Sequence, residues 1–177
     1  MAAEQVVDAM AEAVPAEPMA EKQRKCAIVL CSGDMDKAMA ALIIATGAAA
    51  MGYETSIFFT FWGLKIIQKG GPTGNTLFGR MLSVMNRGGI DRIGPSRLNM
   101  GGMGRWMFRK MMADKGVTPL STLLETAIDL DVRMIPCQMS MDVMEIAVED
   151  LIPEVEQCAG VATFIAEAGE AEINLFI

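Results

Sequence analysis

Histidine is absent from this chain of 177 residues. Its absence excludes Ser-His-Asp and Cys-His nucleophile pairs, histidine-ligated metal sites and histidine pH switches. The four cysteines form no CxxC pair, so a zinc site would need all four to converge from distant segments. No GxxxxGK[ST] motif occurs, and GGMG at 101–104 lacks the preceding strand of a dinucleotide-binding fingerprint. We therefore expect no metal and no cofactor, so any chemistry must use other groups.

Signals for secretion and for membrane insertion are also missing. The first 21 residues carry five acids and no Lys or Arg, whereas a signal peptide begins with basic residues. The longest apolar stretch, 38–52, is shorter than the roughly 18–20 residues that span a bilayer. Structural disulfides are not expected without secretion. These features predict a cytoplasmic protein with an acidic, disordered leader over residues 1–24 and a single domain over residues 25–177.

The chain is rich in apolar residues. Hydrophobic residues make up 52% of the sequence, 17 residues are methionine, and the mean hydropathy is +0.33. A soluble domain with this composition must bury much of its surface or cover it in contacts with other chains. We therefore expect a homo-oligomer.

Apolar runs alternate with helical patterns along the chain. Predicted strands cover residues 26–31, 57–61, 132–136 and 173–177, and a weaker one covers 154–158. Predicted helices cover residues 34–51, 118–130 and 161–168. This alternation is typical of an α/β fold in which helices cover both faces of a mostly parallel sheet of about five strands.

A glycine-rich segment, residues 70–104, interrupts this alternation. Ten of its 35 residues are glycine, and it is longer than the ~12–15 residues usual for an unstructured connection. We predict an insertion that acts as a lid or an oligomer contact. Residues 65–115 contain ten bases and two acids, whereas residues 137–177 contain nine acids and no base. The bases lack a nucleic-acid-binding motif, so no nucleic acid is expected, but a basic amphipathic helix at 103–112 would suit peripheral membrane contact.

One cysteine stands out by its position. Cys137 directly follows the predicted strand 132–136 and precedes a predicted helix that begins with Gln138, Met139, Ser140 and Met141. Ligands and chemistry gather outside the carboxyl ends of parallel strands. A helix amino terminus stabilises an anion, so this thiol could act as a thiolate nucleophile without histidine. The alternative, an inert buried cysteine, remains equally open at this stage.

Four stretches carry a family resemblance: AIVLCSGD at 27–34, ATGAAAMG at 45–52, FFTFWGL at 58–64 and PCQMSMD at 136–142. Together they resemble the DsrE/DsrF/DrsH-like family. The resemblance implies a flavodoxin-like α/β/α sandwich, homo-oligomers and a role in intracellular sulfur trafficking. It also implies that Cys137 matches the persulfide-carrying cysteine of the family. Glu145 stands where the resemblance leads us to expect glycine.

These observations lead to two hypotheses. The first is a sulfurtransferase-like persulfide carrier that passes sulfur between rhodanese-like or TusA-like partner proteins, with Cys137 as the reactive residue. In this hypothesis the backbone N–H groups of Met139, Ser140 and Met141 lie near the sulfur. The second is a non-catalytic oligomeric binding or scaffold protein, with membrane docking through the basic, methionine-rich residues.

Cys31 is the candidate second thiol. It ends the first predicted strand, and in a flavodoxin-like order the first and third strands are neighbours. Cys31 and Cys137 would then face the same crevice, and a resolving disulfide would need Cα atoms within roughly 7 Å of each other. The alternative is that Cys31 is simply a small buried residue.

Overall fold

The computed structural model describes residues 23–85 and 87–177. The predicted leader, residues 1–24, therefore lies outside the described residues except for its last two positions. None of the helices in the described part combines the length and apolar character needed to cross a bilayer.

Strands and helices alternate as the hydrophobic pattern predicts. In chain order the elements are β1 (Lys25–Leu30), α1 (Met35–Ala50), β2 (Glu54–Phe59), a 3-10 helix (Phe61–Ile66), α2 (Leu77–Met85), α3 (Met103–Asp114), α4 (Leu120–Asp129), β3 (Arg133–Pro136), α5 (Gln138–Met144), α6 (Val161–Glu170) and β4 (Ile173–Phe176). Single 3-10 turns also form at Met100–Gly102 and Val148–Asp150. The second strand ends earlier than its apolar run because Phe61 adopts a positive φ of 45° and starts the 3-10 helix.

The described strands form one parallel sheet in the order β3-β2-β1-β4. Helices α1 and α4 pack together over one face of the sheet, and α6 packs over the other. The α/β/α sandwich predicted from the sequence is therefore confirmed, with four strands instead of about five.

The predicted strand at 154–158 does not form a regular strand. Its residues instead run along the outer edge of β3, where Glu156 donates to the Met134 carbonyl at 2.8 Å and Ala159 donates to the Pro136 carbonyl at 3.0 Å. Pro136 has no N–H to return, so a continuous ladder cannot form on this edge. The segment 156–159 is thus an irregular strap that covers the edge of β3.

Each face of the sheet has its own core. The larger core lies under α1 and α4 and contains Ile28, Leu30, Ile57, Phe59 and Met134 together with the small residues of α1. The smaller core lies under α6 and contains Ala27, Phe58, Ile135, Cys137 and Phe164. Side chains alternate between the two faces along each strand, as the pleat requires.

The glycine-rich segment, 70–104, contains more regular structure than its composition suggests, because α2 lies within it. Its later part closes over the amino end of α1: the Met35 N–H donates to the Gly94 carbonyl at 2.8 Å. The Asp36 carboxylate accepts hydrogen bonds from the backbone N–H and the hydroxyl of Ser96, both at 2.8 Å. The segment is therefore attached at the carboxyl edge of the sheet, and the predicted amphipathic helix follows it as α3.

Candidate functional site

Cys137 lies at the carboxyl end of β3 and is the residue that precedes the first turn of α5. Its backbone is extended, with φ −76° and ψ 115°. Its N–H donates to the Phe59 carbonyl at 2.9 Å, and its carbonyl accepts from the Met141 N–H at 3.0 Å. The last bond of the sheet and the first bond of the helix therefore meet on this residue, which fixes the position of its Cβ atom.

The thiol of Cys137 is buried, with only 1% of the residue exposed. It belongs to the smaller core, where the rings of Phe58 and Phe164 are stacked with their centroids 4.8 Å apart. Ala159 of the strap pairs with Cys137 from the side. The sulfur is therefore shielded from solvent, and α6 and the strap form part of its cover.

The residues predicted to support Cys137 divide between surface and core. Gln138 and Met139 are exposed, whereas Ser140 and Met141 are buried. The Met141 N–H donates to the Cys137 carbonyl, so this donor is already used within the first turn of α5. That the N–H groups of Met139, Ser140 and Met141 lie near the sulfur stays a prediction. The Ser140 hydroxyl lies 2.8 Å from the Thr60 hydroxyl, and this contact joins α5 to the end of β2.

Cys31 does not lie beside Cys137, because β2 separates their strands. The prediction that the first and third strands are neighbours is wrong. The last pairs of the register are Leu30 with Phe59 and Phe59 with Pro136, so Thr60, the residue that follows β2, is the next one between the two cysteines. Its N–H donates to the Leu30 carbonyl at 3.1 Å. Two strand spacings of about 4.8 Å put the Cα atoms roughly 9.6 Å apart, beyond the reach of a disulfide. All four cysteines are free, so the proposed Cys31–Cys137 disulfide is not formed.

The two remaining cysteines have structural surroundings. Cys26 is buried in the larger core, and burial raises the pKa of its thiol and so favours its neutral, unreactive form. Cys158 lies next to Ala159 in the strap, but its sulfur points to the larger core, 3.5 Å from the Met141 sulfur. Among the four thiols, only that of Cys137 directly joins a strand to a helix. Cys31 also follows a strand, but Ser32, Gly33 and Asp34 separate it from α1.

Glu145 closes α5 and binds the glycine-rich segment. Its φ of 51° is the left-handed conformation that favours glycine, which agrees with the residue type expected at this position. Its carboxylate accepts hydrogen bonds from the N–H groups of Asn75 and Thr76, at 2.6 and 2.8 Å, and from the Thr76 hydroxyl. The carboxylate thus anchors the amino end of α2 to the helix that follows Cys137. Sequence reasoning missed this link, and its only signal was an acid at a position expected to be glycine.

The Glu145 anchor should depend on pH. The Thr76 hydroxyl bond, followed by the backbone bonds, lowers the pKa of Glu145. A depressed pKa means that the stabilising effect is present above the unfolded-state pKa of about 4.3 and is lost as the pH falls through the folded-state value. We expect Glu145→Gln to lower the free energy of unfolding at neutral pH, and we expect its difference from wild type to close below about pH 4. Urea unfolding at a series of pH values measures this difference.

Glu149→Gln is the matched control for this experiment, because no hydrogen bond or ion pair holds the Glu149 carboxylate within the described residues. It should leave the unfolding free energy close to that of wild type across the same pH range. A Glu145→Gln difference that persisted unchanged at acid pH would contradict the role of the ionised carboxylate.

Comparisons with known proteins identify the family of this chain. The chain matches the DsrE/DsrF/DrsH-like family over residues 22–176. It is 40% identical over 161 residues to YrkE of Bacillus subtilis (strain 168), covering 90% of this chain and 100% of that protein. It is 36% identical over 160 residues to the sulfur carrier protein DsrE2 of Allochromatium vinosum, covering 88% of this chain and 99% of that protein.

A solved structure supports the same fold. The crystal structure of the ychN protein from E. coli superimposes with a TM-score of 0.51 at 12% identity, covering 88% of this chain and 100% of that one. At this identity the likeness concerns the fold alone. The profile match over most of the chain and the two close relatives decide the family, and the chain belongs to the DsrE/DsrF/DrsH-like family.

Proposed function

We propose that the protein is a sulfur carrier that holds sulfane sulfur as a persulfide on Cys137. The observation that carries the proposal is the position of this thiol at the carboxyl end of β3, where backbone bonds from the sheet and from α5 fix it. Membership of a family that includes a protein named a sulfur carrier supports a role in sulfur relay. The partners would be sulfur donor and acceptor proteins of the rhodanese-like or TusA-like kind.

The proposed transfer is a thiol exchange without net oxidation. The Cys137 thiolate attacks the outer sulfur of a donor persulfide, R–S–SH, and forms a new sulfur–sulfur bond. The sulfur–sulfur bond of the donor breaks, and the donor leaves as the thiolate R–S⁻. An acceptor thiolate then attacks the outer sulfur of Cys137–S–SH, and Cys137 leaves as a thiolate. One sulfur atom moves in each step, and no external oxidant or reductant is consumed.

Helix α6 is the part of the cover that we propose opens for transfer. Phe164 is its only buried residue within the described part of the chain, and partly buried Ala168 adds to the contact. Exposed Val161 and Ile165 contribute little to holding it down. Because local opening is easiest where few apolar groups are buried, α6 should lift more readily than α1, which buries six residues against the larger core.

Replacing Phe164 by alanine should speed alkylation of Cys137 by iodoacetamide by at least about tenfold, because the variant loses most of the contact that closes α6. Rates are measured by mass spectrometry of the Cys137 peptide. Ile165→Ala is the matched control, since this side chain on the same helix is 61% exposed, and it should leave the rate near that of wild type.

Cys26 provides an internal check on the same samples. It lies in the larger core, on the other face of the sheet, so local opening of α6 should leave it protected. Equal acceleration at Cys26 and Cys137 would indicate global unfolding and would contradict a hinged cover. An unchanged Cys137 rate in Phe164→Ala would contradict it as well.

The second candidate function is a non-catalytic oligomeric scaffold. The burial of Cys137 favours it, and so do the exposed apolar side chains of α2 and α3, which include Leu77, Phe78, Met81, Met103, Trp106, Met107 and Met111. Basic residues at 65–115 in one copy could face acidic residues at 137–177 in another. In this alternative function, Cys137 only packs in the smaller core and takes part in no reaction.

Sulfur loading distinguishes the two functions. The protein is incubated anaerobically with a low-mass persulfide donor and mapped by mass spectrometry. The carrier should gain one sulfur atom on the peptide that contains Cys137, and the adduct should disappear when an acceptor thiol is added. A protein that stays unmodified at Cys137 while the donor remains active would exclude the carrier and support the scaffold.

A further inference from the structure

A basic cleft lies beyond the carboxyl end of β1, on the side of the sheet where the glycine-rich segment meets α1. Its volume is about 580 Å³. Four of its lining residues are cationic, namely Lys65, Arg87, Arg92 and Arg105, and one, Asp34, is anionic. No other acidic residue in the described part of the chain contributes to the lining. The cleft is therefore a concave site with an excess of positive charge.

Two of these cations are held in place by backbone carbonyls instead of carboxylates. Arg92 donates to the Gly70 carbonyl at 2.6 Å, and Arg105 donates to the Arg92 carbonyl at 2.5 Å. Neither forms an ion pair within the described residues, and the same is true of Arg87. A guanidinium has five donor N–H groups in a planar fork, so most of these donors remain available to a ligand. Arg92 and Arg105 are therefore positioned by the fold but not neutralised by it.

The acids near the cleft are already engaged with the protein. The Asp34 carboxylate accepts from the Ser32 hydroxyl at 2.8 Å and lies 3.7 Å from the Lys37 ammonium. The Asp36 carboxylate is turned toward Ser96. Two carboxylates at the amino end of α1 repel an anion, but these partners reduce that effect. The field inside the cleft is thus set mainly by its four cations.

The pKa of Lys65 is also shifted by the surroundings of the cleft. Burial lowers the pKa of its ammonium group, and the Asp34 carboxylate acts in the opposite direction. A negatively charged ligand in the cleft would favour the charged form of Lys65 further, because opposite charges stabilise each other in a partly desolvated site. The lysine and the arginines would then act on the same ligand.

We propose that this cleft binds a small polyanion that carries at least two phosphate or carboxylate groups. Phosphate and carboxylate are the groups that arginine forks recognise with two parallel hydrogen bonds. The volume lies within the roughly 300–1,000 Å³ of sites for small organic molecules and exceeds the needs of one simple oxyanion. This site is separate from Cys137 and does not depend on the proposed sulfur chemistry, so each can fail without the other.

Isothermal titration calorimetry at low ionic strength tests the site, with pyrophosphate and citrate as the two probes. At least one should bind with one-to-one stoichiometry and more tightly than inorganic phosphate. Preference for pyrophosphate identifies a phosphate-bearing ligand, and preference for citrate identifies a polycarboxylate. Failure of both probes to bind would overturn the proposal.

Arg87→Gln is the first variant, because the Arg87 side chain lines the cleft and forms no bond to another described residue. It should weaken binding of the preferred probe by about fivefold or more, the effect of losing one charge–charge contact. Arg80→Gln makes the same change on exposed α2 outside the lining and should leave binding nearly unchanged. Equal losses in the two variants would show nonspecific attraction and would overturn the proposal.

Asp34→Asn should tighten binding, a result that misfolding of the variant would not produce. Asparagine is as good as aspartate at a helix amino terminus, so α1 should remain intact. Asp34 is the only acid that lines the cleft among residues 23–85 and 87–177. Its loss should tighten binding of the same probe by about threefold or more. Unchanged or weaker binding in this variant, with a normal melting temperature, would contradict a cleft whose affinity depends on net positive charge.

Discussion

Cys137→Ser should abolish sulfur loading. The serine hydroxyl is not nucleophilic toward a persulfide at neutral pH and cannot store sulfane sulfur, so no adduct of one sulfur atom should form at this position. Serine also places a hydroxyl among Ala27, Phe58, Ile135 and Phe164, which we expect to cost about 1–3 kcal/mol of unfolding free energy. Loading is measured by mass spectrometry, and folding is verified by circular dichroism on the same preparation.

Two other variants serve as controls for this loss. Cys31 and Cys158 are both more exposed than Cys137, so accessibility alone would favour them as sites of sulfur attachment. Cys31→Ser and Cys158→Ser should nevertheless load as wild type does, because neither thiol directly precedes the first turn of a helix as Cys137 does. Retention of full loading in Cys137→Ser, or its disappearance in Cys31→Ser, would show that the wrong thiol has been chosen.

Gly63→Ala should destabilise the protein by about 3 kcal/mol or more. Gly63 lies in the 3-10 helix that crosses the end of β1, and a Cβ there would overlap the carbonyl oxygen of Leu30. Its N–H is bonded to the carbonyls of Thr60 and Cys31, at 2.9 and 3.2 Å. Because the overlap is between backbone atoms, no rotamer change relieves it, and either the 3-10 helix or β1 must shift.

Gly47→Ala is the matched substitution with the opposite expected sign. Gly47 lies inside α1, and nothing stands within 4 Å of the Cβ that it would gain. Alanine is the better helix former there, so we expect stabilisation of about 0.5–1 kcal/mol. Urea unfolding of both variants measures the two effects. Similar small effects at both positions would contradict the close approach of the 3-10 helix to β1.

The elements of this fold follow from the sequence, but their lateral arrangement does not. The apolar run at 26–31 and the small residues of α1 predict a strand and a buried helix, and both form nearly where the pattern places them. The hydrophobic pattern is local, however, and does not specify which strands are neighbours in the sheet. Strand order depends on long-range packing of helices on the sheet faces, so the neighbour relation assumed for Cys31 and Cys137 could not be tested before the sheet was known.

The surroundings of the candidate site could also be predicted only in part from the sequence. Position along the chain predicts that Cys137 follows a strand and precedes a helix, and the structure places it there. Its burial depends on Phe164 and Ala159, which are distant in sequence and reach it only through the fold. The cleft beyond β1 could not be predicted from the sequence either, because its cations come from three separate segments: the 3-10 helix, the glycine-rich segment and α3.

The closed cover over Cys137 has a kinetic consequence for the proposed carrier. A persulfide formed there would be shielded from small reducing thiols for as long as α6 stays down. The rate of loading would then reach a maximum at high donor concentration, because exchange cannot be faster than the opening of the cover. A partner protein that lifts α6 on docking would raise this maximum rate. The same helix could therefore make the stored sulfur both long-lived and selective for its acceptor.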